Sequence, residues 1–138
     1  MKVEIKNLYL KPAIDFLFNL ELERKQSRHR TKFIKQMNER LKEVGEERME
    51  IVKDNANLDE EGNPIEKDGE YDIYDKQKFD KEIKELFDES LVIEGGDNQQ
   101  MLETVSKVLK EDKSKLKGTK AAVRDYLCDQ FQIDKEGE

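Results

Sequence analysis

The chain has 138 residues, 43% of them charged and 35% hydrophobic, with a formal net charge of −7 at pH 7. This length suffices for one domain with a modest core, and the sequence has no run of about 18 apolar residues that could cross a membrane. The single Cys128 excludes an internal disulfide, and Met1 to Leu10 lacks the apolar run of a secretory signal, so we predict a cytoplasmic protein.

The first residues predict a strand that leads into a helix. Apolar and polar side chains alternate from Met1 to Leu10, which is typical of a half-buried β-strand. Lys11-Pro12 then suits a first helical turn, where proline is tolerated. The apolar residues that follow, from Ala13 to Leu20, predict a helix with a wide face in the core.

Residues 22–55 predict one long helix, because they contain no proline and their apolar residues recur at spacings of three and four. Arg48 and Asn55 occupy two positions of this heptad pattern where an apolar residue would be expected. At 1.5 Å per residue, the helix would be about 45–50 Å long. The apolar seam consists of Ile34, Met37, Leu41, Val44 and Ile51.

A second helix, over residues 76–91, is expected to fold back on the first. Its apolar stripe has helical spacing, and together the two helices predict an antiparallel hairpin over residues 22–91. Residues 57–75 between the helices contain the turn signals Glu-Gly-Asn-Pro and Asp-Gly, which favour a small two-stranded flap. The expected apolar members of the flap are Ile65, Tyr71, Ile73 and Tyr74.

The C-terminal part predicts a strand and two helices. Leu91-Val92-Ile93 is a short apolar run that we expect to pair with the N-terminal strand. Asp97 or Asn98 is a suitable N-cap for a helix that ends near Glu111, and Thr119 for a last helix that ends near Gln132. We expect residues 134–138 to fray.

Together these elements predict one domain over residues 1–138, of the α+β class and predominantly α. The hairpin stands on a base formed by residues 1–21 and 92–133. The long helix has about 34 residues and its partner about 16, so the seam around Phe33, Ile34 and Met37 needs a further cover. If the terminal helices do not supply that cover, a second subunit must, and we then expect a homodimer.

Positive charge is concentrated in residues 22–35, where six lysines and arginines stand against Glu23 alone. Residues 1–21 are neutral overall, so residues 36–138 carry a net charge of −12. On a helix, four of the cations fall on one stripe at spacings of four, four and three, which predicts a contact surface. The predicted contact residues are Arg24, Arg28, Arg30, Lys32 and Lys35.

Three kinds of counter-charge could meet this stripe. An acidic partner protein, or the acidic segments of this chain or of a second copy, are favoured over nucleic acid, because Phe33 is the only aromatic in the stretch and fits the core seam. The acidic remainder suggests a further alternative, an inhibitor that imitates the charge of DNA. Lysines mixed into the same segments, such as Lys76, Lys78, Lys81 and Lys84, argue against a continuous acidic face.

No set of residues in the sequence predicts catalysis or metal binding. His29 lies between two arginines, which supply no acceptor to orient it as a general base, and Cys128 has no second histidine to activate it. The stretch from Asp59 resembles a calcium loop, but its sixth position is Pro64, where an EF-hand needs glycine. We therefore predict no enzyme activity, cofactor or metal; a hydrolase would need carboxylates that converge on an ion, which spacing alone cannot reveal.

Three long segments carry a resemblance to a known family: MKVEIKNLYLKPAIDFLFNLELERKQSRHRTKFIKQMNERLKEV, EEGNPIEKDGEYDIYDKQKFDKEIKELFDESLVIEGGDN and DYLCDQF. Along nearly the whole chain the sequence resembles small phage and prophage proteins of low-GC Gram-positive bacteria, filed under a domain of unknown function. The resemblance implies a viral context and a host cytoplasm, and it supplies no catalytic residues. We expect a non-enzymatic protein-binding module, either a scaffold or an inhibitor of a host protein such as a defence protein.

Overall fold

Five α-helices and four short strands make up residues 1–133, the part of the chain that this computed structural model describes. The protein is thus an α+β fold that is mostly helical, as predicted, whereas the tail predicted to fray lies outside the described residues. In chain order the elements are β1 (Lys2–Lys6), α1 (Asn7–Phe18), α2 (Arg24–Asn55), β2 (Glu66–Lys67), β3 (Glu70–Tyr71), α3 (Lys76–Asp88), β4 (Ser90–Glu94), α4 (Gln99–Glu111) and α5 (Gly118–Gln130).

The first helix begins four residues earlier than the sequence predicted. Strand alternation holds only for Val3 and Ile5, which are buried, and α1 starts directly after β1 at Asn7. From there the buried side chains recur at helical spacings, so the predicted strand over residues 1–10 was wrong beyond Lys6. The buried residues of α1 are Asn7, Leu10, Ala13, Phe16 and Leu17.

The predicted pairing of the two terminal strands is confirmed. β1 and β4 form an antiparallel pair in which Val3 lies opposite Ile93 and Ile5 opposite Leu91. Val3, Ile5 and Ile93 are buried, so one face of this ribbon closes the core while the other faces water. The helix before β4 ends at Asp88 rather than at Leu91, because residues 90–94 are extended in this pair.

Helix α2 is the longest element, and its two halves have different neighbours. Its N-terminal half lies antiparallel to α4, as the bonds from Gln26 to Glu111 and from Gln36 to Asn98 show. At its C-terminal end the carbonyl of Asn55 accepts a hydrogen bond from the amide of Tyr74, just before α3. Because α3 has 13 residues and α2 has 32, α3 covers only the second half of α2.

The apolar seam of α2 is covered within the chain. Phe33 and Met37 are fully buried, Ile34 is 8% exposed, and the ring of Phe131 meets Phe33 edge-on with centroids 5.8 Å apart. The terminal elements therefore bury the seam around Phe33, Ile34 and Met37, which was one of the two possibilities that the sequence left open. The seam gives no reason to expect a second subunit.

The segment between α2 and α3 folds as a two-stranded flap, as predicted, although of its expected members only Tyr71 lies in a strand, whereas Ile65, Ile73 and Tyr74 lie outside β2 and β3. β2 and β3 form a two-residue hairpin, and single bridges join Ala56 to Ile73 and Leu58 to Pro64. The Tyr74 hydroxyl donates a hydrogen bond to the Asp54 carbonyl at 2.6 Å, which ties the flap to the end of α2.

The buried side chain of Asn7 joins the base of the fold to the hairpin. Its Nδ2 donates to the Leu86 carbonyl at 2.8 Å, and its backbone amide donates to the Glu89 carbonyl at 2.8 Å. Its Oδ1 accepts a hydrogen bond from Nε of Arg40 on α2 at 3.1 Å. Because Asn7 is only 2% exposed, water cannot readily reach its polar groups, and these protein hydrogen bonds satisfy them instead.

None of the helices within residues 1–133 is both long and apolar enough to span a membrane.

We predict that Asn7→Ala lowers the free energy of unfolding by about 1–2 kcal/mol, because the Leu86 carbonyl and the Arg40 guanidinium each lose a buried hydrogen bond, although both keep other partners. Urea unfolding measures the change. Asn38→Ala is the matched control, since Asn38 is exposed on α2. An equal loss in both variants would contradict this role for Asn7.

Candidate binding surface

The predicted cationic stripe lies on the solvent face of the N-terminal part of α2. Arg24, Arg28 and Lys35 are exposed there, since Phe33 and Met37 hold the opposite face of the helix in the core. None of these three cations forms a hydrogen bond or ion pair with another residue of the described chain. They remain free to meet an external anion.

Two members of the predicted set already have partners inside the protein. The guanidinium of Arg30 donates to the carbonyls of Leu17 at 3.1 Å and Phe18 at 3.3 Å, and also to that of Leu20. A cation at the carbonyls around the C-terminus of α1 stabilises that end of the helix, so Arg30 has a structural role. Lys32 is more accessible, with its Nζ bound to the Asp97 carbonyl at 3.1 Å.

His29 lies on α2 and Cys128 on α5. The Nδ1 of His29 is 2.6 Å from the Thr104 hydroxyl, which fixes α2 against α4, and Cys128 is buried in the core. The Asp59 carboxylate accepts hydrogen bonds from the amides of Glu61 and Asn63, both at 2.9 Å, and so closes its own turn. Within residues 1–133, no three His, Cys, Asp or Glu side chains are grouped to hold a metal.

A second basic segment, which the sequence analysis missed, adjoins the stripe. Residues 107–120 contain six lysines against two acidic residues. The antiparallel packing of α4 on α2 brings this segment to the start of α2, where Gln26 Nε2 lies 3.3 Å from Glu111 Oε1. All six lysines are exposed, and none pairs with a residue of the described chain. They are Lys107, Lys110, Lys113, Lys115, Lys117 and Lys120.

Hydrogen bonds tie the linker between α4 and α5, which carries Lys113, Lys115 and Lys117, to α5. Arg124 donates to the Asp112 carboxylate at 3.1 Å and to the Ser114 carbonyl at 2.7 Å, while the Ser114 hydroxyl donates to Asp112 at 2.6 Å. Backbone angles at Asp112 and Lys117 are extended.

The stripe and the lysine segment together form what we call the basic end, residues 22–35 and 107–120. Residues 36–106 contain twenty-two acidic and nine basic residues, for a net charge of −13. They form the rest of α2, the flap, α3, β4 and the first eight residues of α4. None of the salt bridges within residues 1–133 involves the stripe residues Arg24, Arg28 and Lys35 or the six lysines. The protein therefore has two regions of opposite charge, and the basic end is not neutralised by the described part of the chain.

Comparison with known proteins assigns no family to this chain. No protein-family model, curated protein or solved structure gives a significant match. The resemblance to phage and prophage proteins therefore stays a prediction, and the surface has to be interpreted from its own residues.

The linker contacts also predict an acid-dependent loss of stability. Burial alone would raise the pKa of Asp112, but the hydrogen bonds from Ser114 and Arg124 outweigh it and hold the pKa below its usual 3.8. A lowered pKa contributes stability above the unfolded value, and this contribution is lost as the pH falls through the folded value.

We predict that Asp112→Asn destabilises the fold at pH 7 by about 1 kcal/mol, a value reduced for the partial solvent access of the pair. The difference from the parent should shrink as the pH falls below 3.8, where the carboxylate is first protonated in the unfolded chain, and should vanish once the pH passes the lower pKa of the folded state. Urea unfolding at several pH values measures this, with Asp125→Asn on the exposed side of α5 as the control. A difference that stayed constant down to the lowest pH would contradict the assignment.

Proposed function

We propose that this chain is a non-catalytic protein-binding module whose basic end docks an acidic surface of a partner protein. One observation carries the proposal: two basic segments more than 70 residues apart in sequence lie together, and neither the stripe residues Arg24, Arg28 and Lys35 nor the six lysines form an ion pair within the described chain. Like charges held close together repel, and an acidic partner relieves that repulsion while it is steered to the surface.

The position of the stripe on α2 strengthens this interpretation. The N-terminus of a helix carries a partial positive charge and is stabilised by acidic residues. The first turn of α2 has none and instead begins with Arg24 and Lys25, and the side chain of Glu23 makes no capping bond. Such a conflict between local sequence and stability is expected where a surface serves binding.

An acidic protein fits the surface better than a nucleic acid. Phe33 is fully buried, so it cannot stack on a base, and Phe18 is the one strongly exposed aromatic near this end in the described chain. Binders of single strands use a series of aromatics. A long polyanion would also approach the net charge of −13 in residues 36–106, whereas a compact acidic patch need contact only the basic end.

The resemblance noted above, which stays a prediction, implies a phage-infected cell as the setting of this binding. The partner would then be a host or phage protein, and the module a scaffold or an inhibitor of a host defence protein. Because residues 36–106 are strongly acidic, an inhibitor that imitates the charge of DNA stays the alternative function. Its lysines are interleaved with the acids, as the Lys78–Glu82 ion pair at 3.7 Å illustrates.

We predict that the triple variant Arg24→Glu/Arg28→Glu/Lys35→Glu weakens binding to immobilised poly-glutamate by about tenfold or more. Because the change places acidic groups at the N-terminus of α2, its thermal stability should equal or exceed that of the parent. Lys78→Glu/Lys81→Glu/Lys84→Glu on α3 makes the same change in net charge and should keep the affinity. Parallel titrations at two salt concentrations complete the measurement.

Two outcomes would contradict the proposal. One is equal loss in both triple variants, which would mean that net charge alone governs binding. The other is tighter binding to a duplex DNA of matched charge than to poly-glutamate. In the infected host, affinity purification followed by mass spectrometry should recover a protein that the α3 variant retains and the α2 variant loses.

A further inference from the structure

We infer that β4 offers its free edge to a second copy of this chain, so that two copies join their ribbons into one four-stranded antiparallel sheet. This surface is separate from the basic end, and the inference goes beyond the proposed function. Within residues 1–133, β4 pairs with β1 along one edge and has no strand along the other. A strand edge of this kind is a template on which a further strand forms.

The backbone bonds show which groups point outward from β4. The Asn7 amide donates to the Glu89 carbonyl at 2.8 Å, so the odd-numbered residues carry the bonds between the two chain segments of the ribbon. The amides and carbonyls of Ser90, Val92 and Glu94 therefore point away from β1. Those of Ser90 and Val92 have no hydrogen-bond partner in the described chain, and both are free to pair with a new strand.

The outer edge of β1 is protected, whereas that of β4 is not. The Lys6 amide donates to the Tyr126 hydroxyl at 2.9 Å, and the water-facing side chains of β1 are all charged, namely Lys2, Glu4 and Lys6. Proteins commonly protect an exposed edge strand with lysine or proline. β4 contains neither, and at its centre Val92 is 45% exposed on the water-facing side of the ribbon. Such an edge favours association.

The sequence of β4 favours a second copy as the new strand. When Val92 lies opposite Val92 of the second copy, a two-fold axis pairs all five residues, Leu91 with Ile93 and Ser90 with Glu94. No like charges meet in this register, because each Glu94 carboxylate lies opposite a Ser90 hydroxyl. The two valines form an apolar cross-strand pair. Sliding either strand by two residues shortens the pairing, so the register centred on Val92 is preferred.

The response to salt distinguishes this contact from docking of the basic end. Each copy has a net charge of −7, so two copies repel each other, and added salt should leave the strand pairing intact or strengthen it. Binding of one copy's basic end to residues 36–106 of another would instead weaken with salt. Because the strands are short, we expect a weak dimer that forms as the concentration rises. It would present two basic ends to one partner.

Sedimentation equilibrium over a range of concentrations tests the dimer. The parent should approach twice the mass of one chain at low and at high salt. Val92→Lys sets two ammonium groups side by side across the axis and should stay monomeric. Within one copy the new lysine lies opposite Glu4, so the fold should be retained, which thermal unfolding verifies. Leu58→Lys, on the flap, makes the same change at a similar exposure of 47% and should dimerise like the parent.

Disulfide formation under mild oxidation tests the register. In a hydrogen-bonded antiparallel pair the Cα atoms are about 5.5 Å apart, which a disulfide can span, so Val92→Cys should link about tenfold faster than Leu58→Cys. Glu94→Cys should link no faster than Leu58→Cys, because its counterpart across the axis is Ser90. The native Cys128 is buried and should not contribute.

Several results would overturn the inference. They are a parent that stays monomeric at every concentration, a dimer that Val92→Lys leaves intact, a dimer that dissociates in salt, and equal linking at positions 92 and 58. The α2 triple variant should dimerise like the parent, and Val92→Lys should still bind poly-glutamate. Failure of the strand pairing therefore leaves the proposed function standing, and failure of the basic end leaves the strand pairing standing.

Discussion

The burial of one face of α2 is the constraint on which the rest of the structure depends. Phe33 and Met37 are fully buried between the terminal elements, and this fixes the rotation of the whole helix about its axis. Because side chains on a helix keep fixed angles to one another, the cations two, five and nine residues from Phe33 lie on the opposite side of the helix and face solvent. The same core that stabilises the domain therefore displays Arg24, Arg28 and Lys35.

Charge separation follows from where the long helix finds its neighbours. Its N-terminal half lies beside α4 and the lysine-rich linker, whereas its C-terminal half carries the flap and α3, where acidic residues dominate. Asn7 on α1 and Arg40 on α2 form a hydrogen bond where the two halves of α2 meet. This bond helps to fix the direction of the C-terminal half of α2 relative to α1. A rigid separation of this kind lets one end bind an anion that the other end would repel.

Local patterns in the sequence predicted much of this fold, and long-range contacts account for what they missed. The helical seam of α2 and the alternation of Val3 and Ile5 are repeated signals, and both were confirmed. The early start of α1 depends instead on bonds between Asn7 and residues some 80 positions away. Arg28 and Arg30 look alike in sequence, yet only Arg30 meets the carbonyl end of α1. The lysine-rich composition of residues 107–120 could be read from the sequence. Their position beside α2 could not, because it depends on how α4 packs against α2.

The most direct test of the binding surface is a map of amide chemical shifts in the ¹⁵N-labelled chain during titration with poly-glutamate. Our account predicts shifts confined to residues 22–35, residues 107–120 and the adjoining end of α1, and their reversal by added salt. Shifts concentrated on the flap and α3, or spread evenly over the protein, would contradict it.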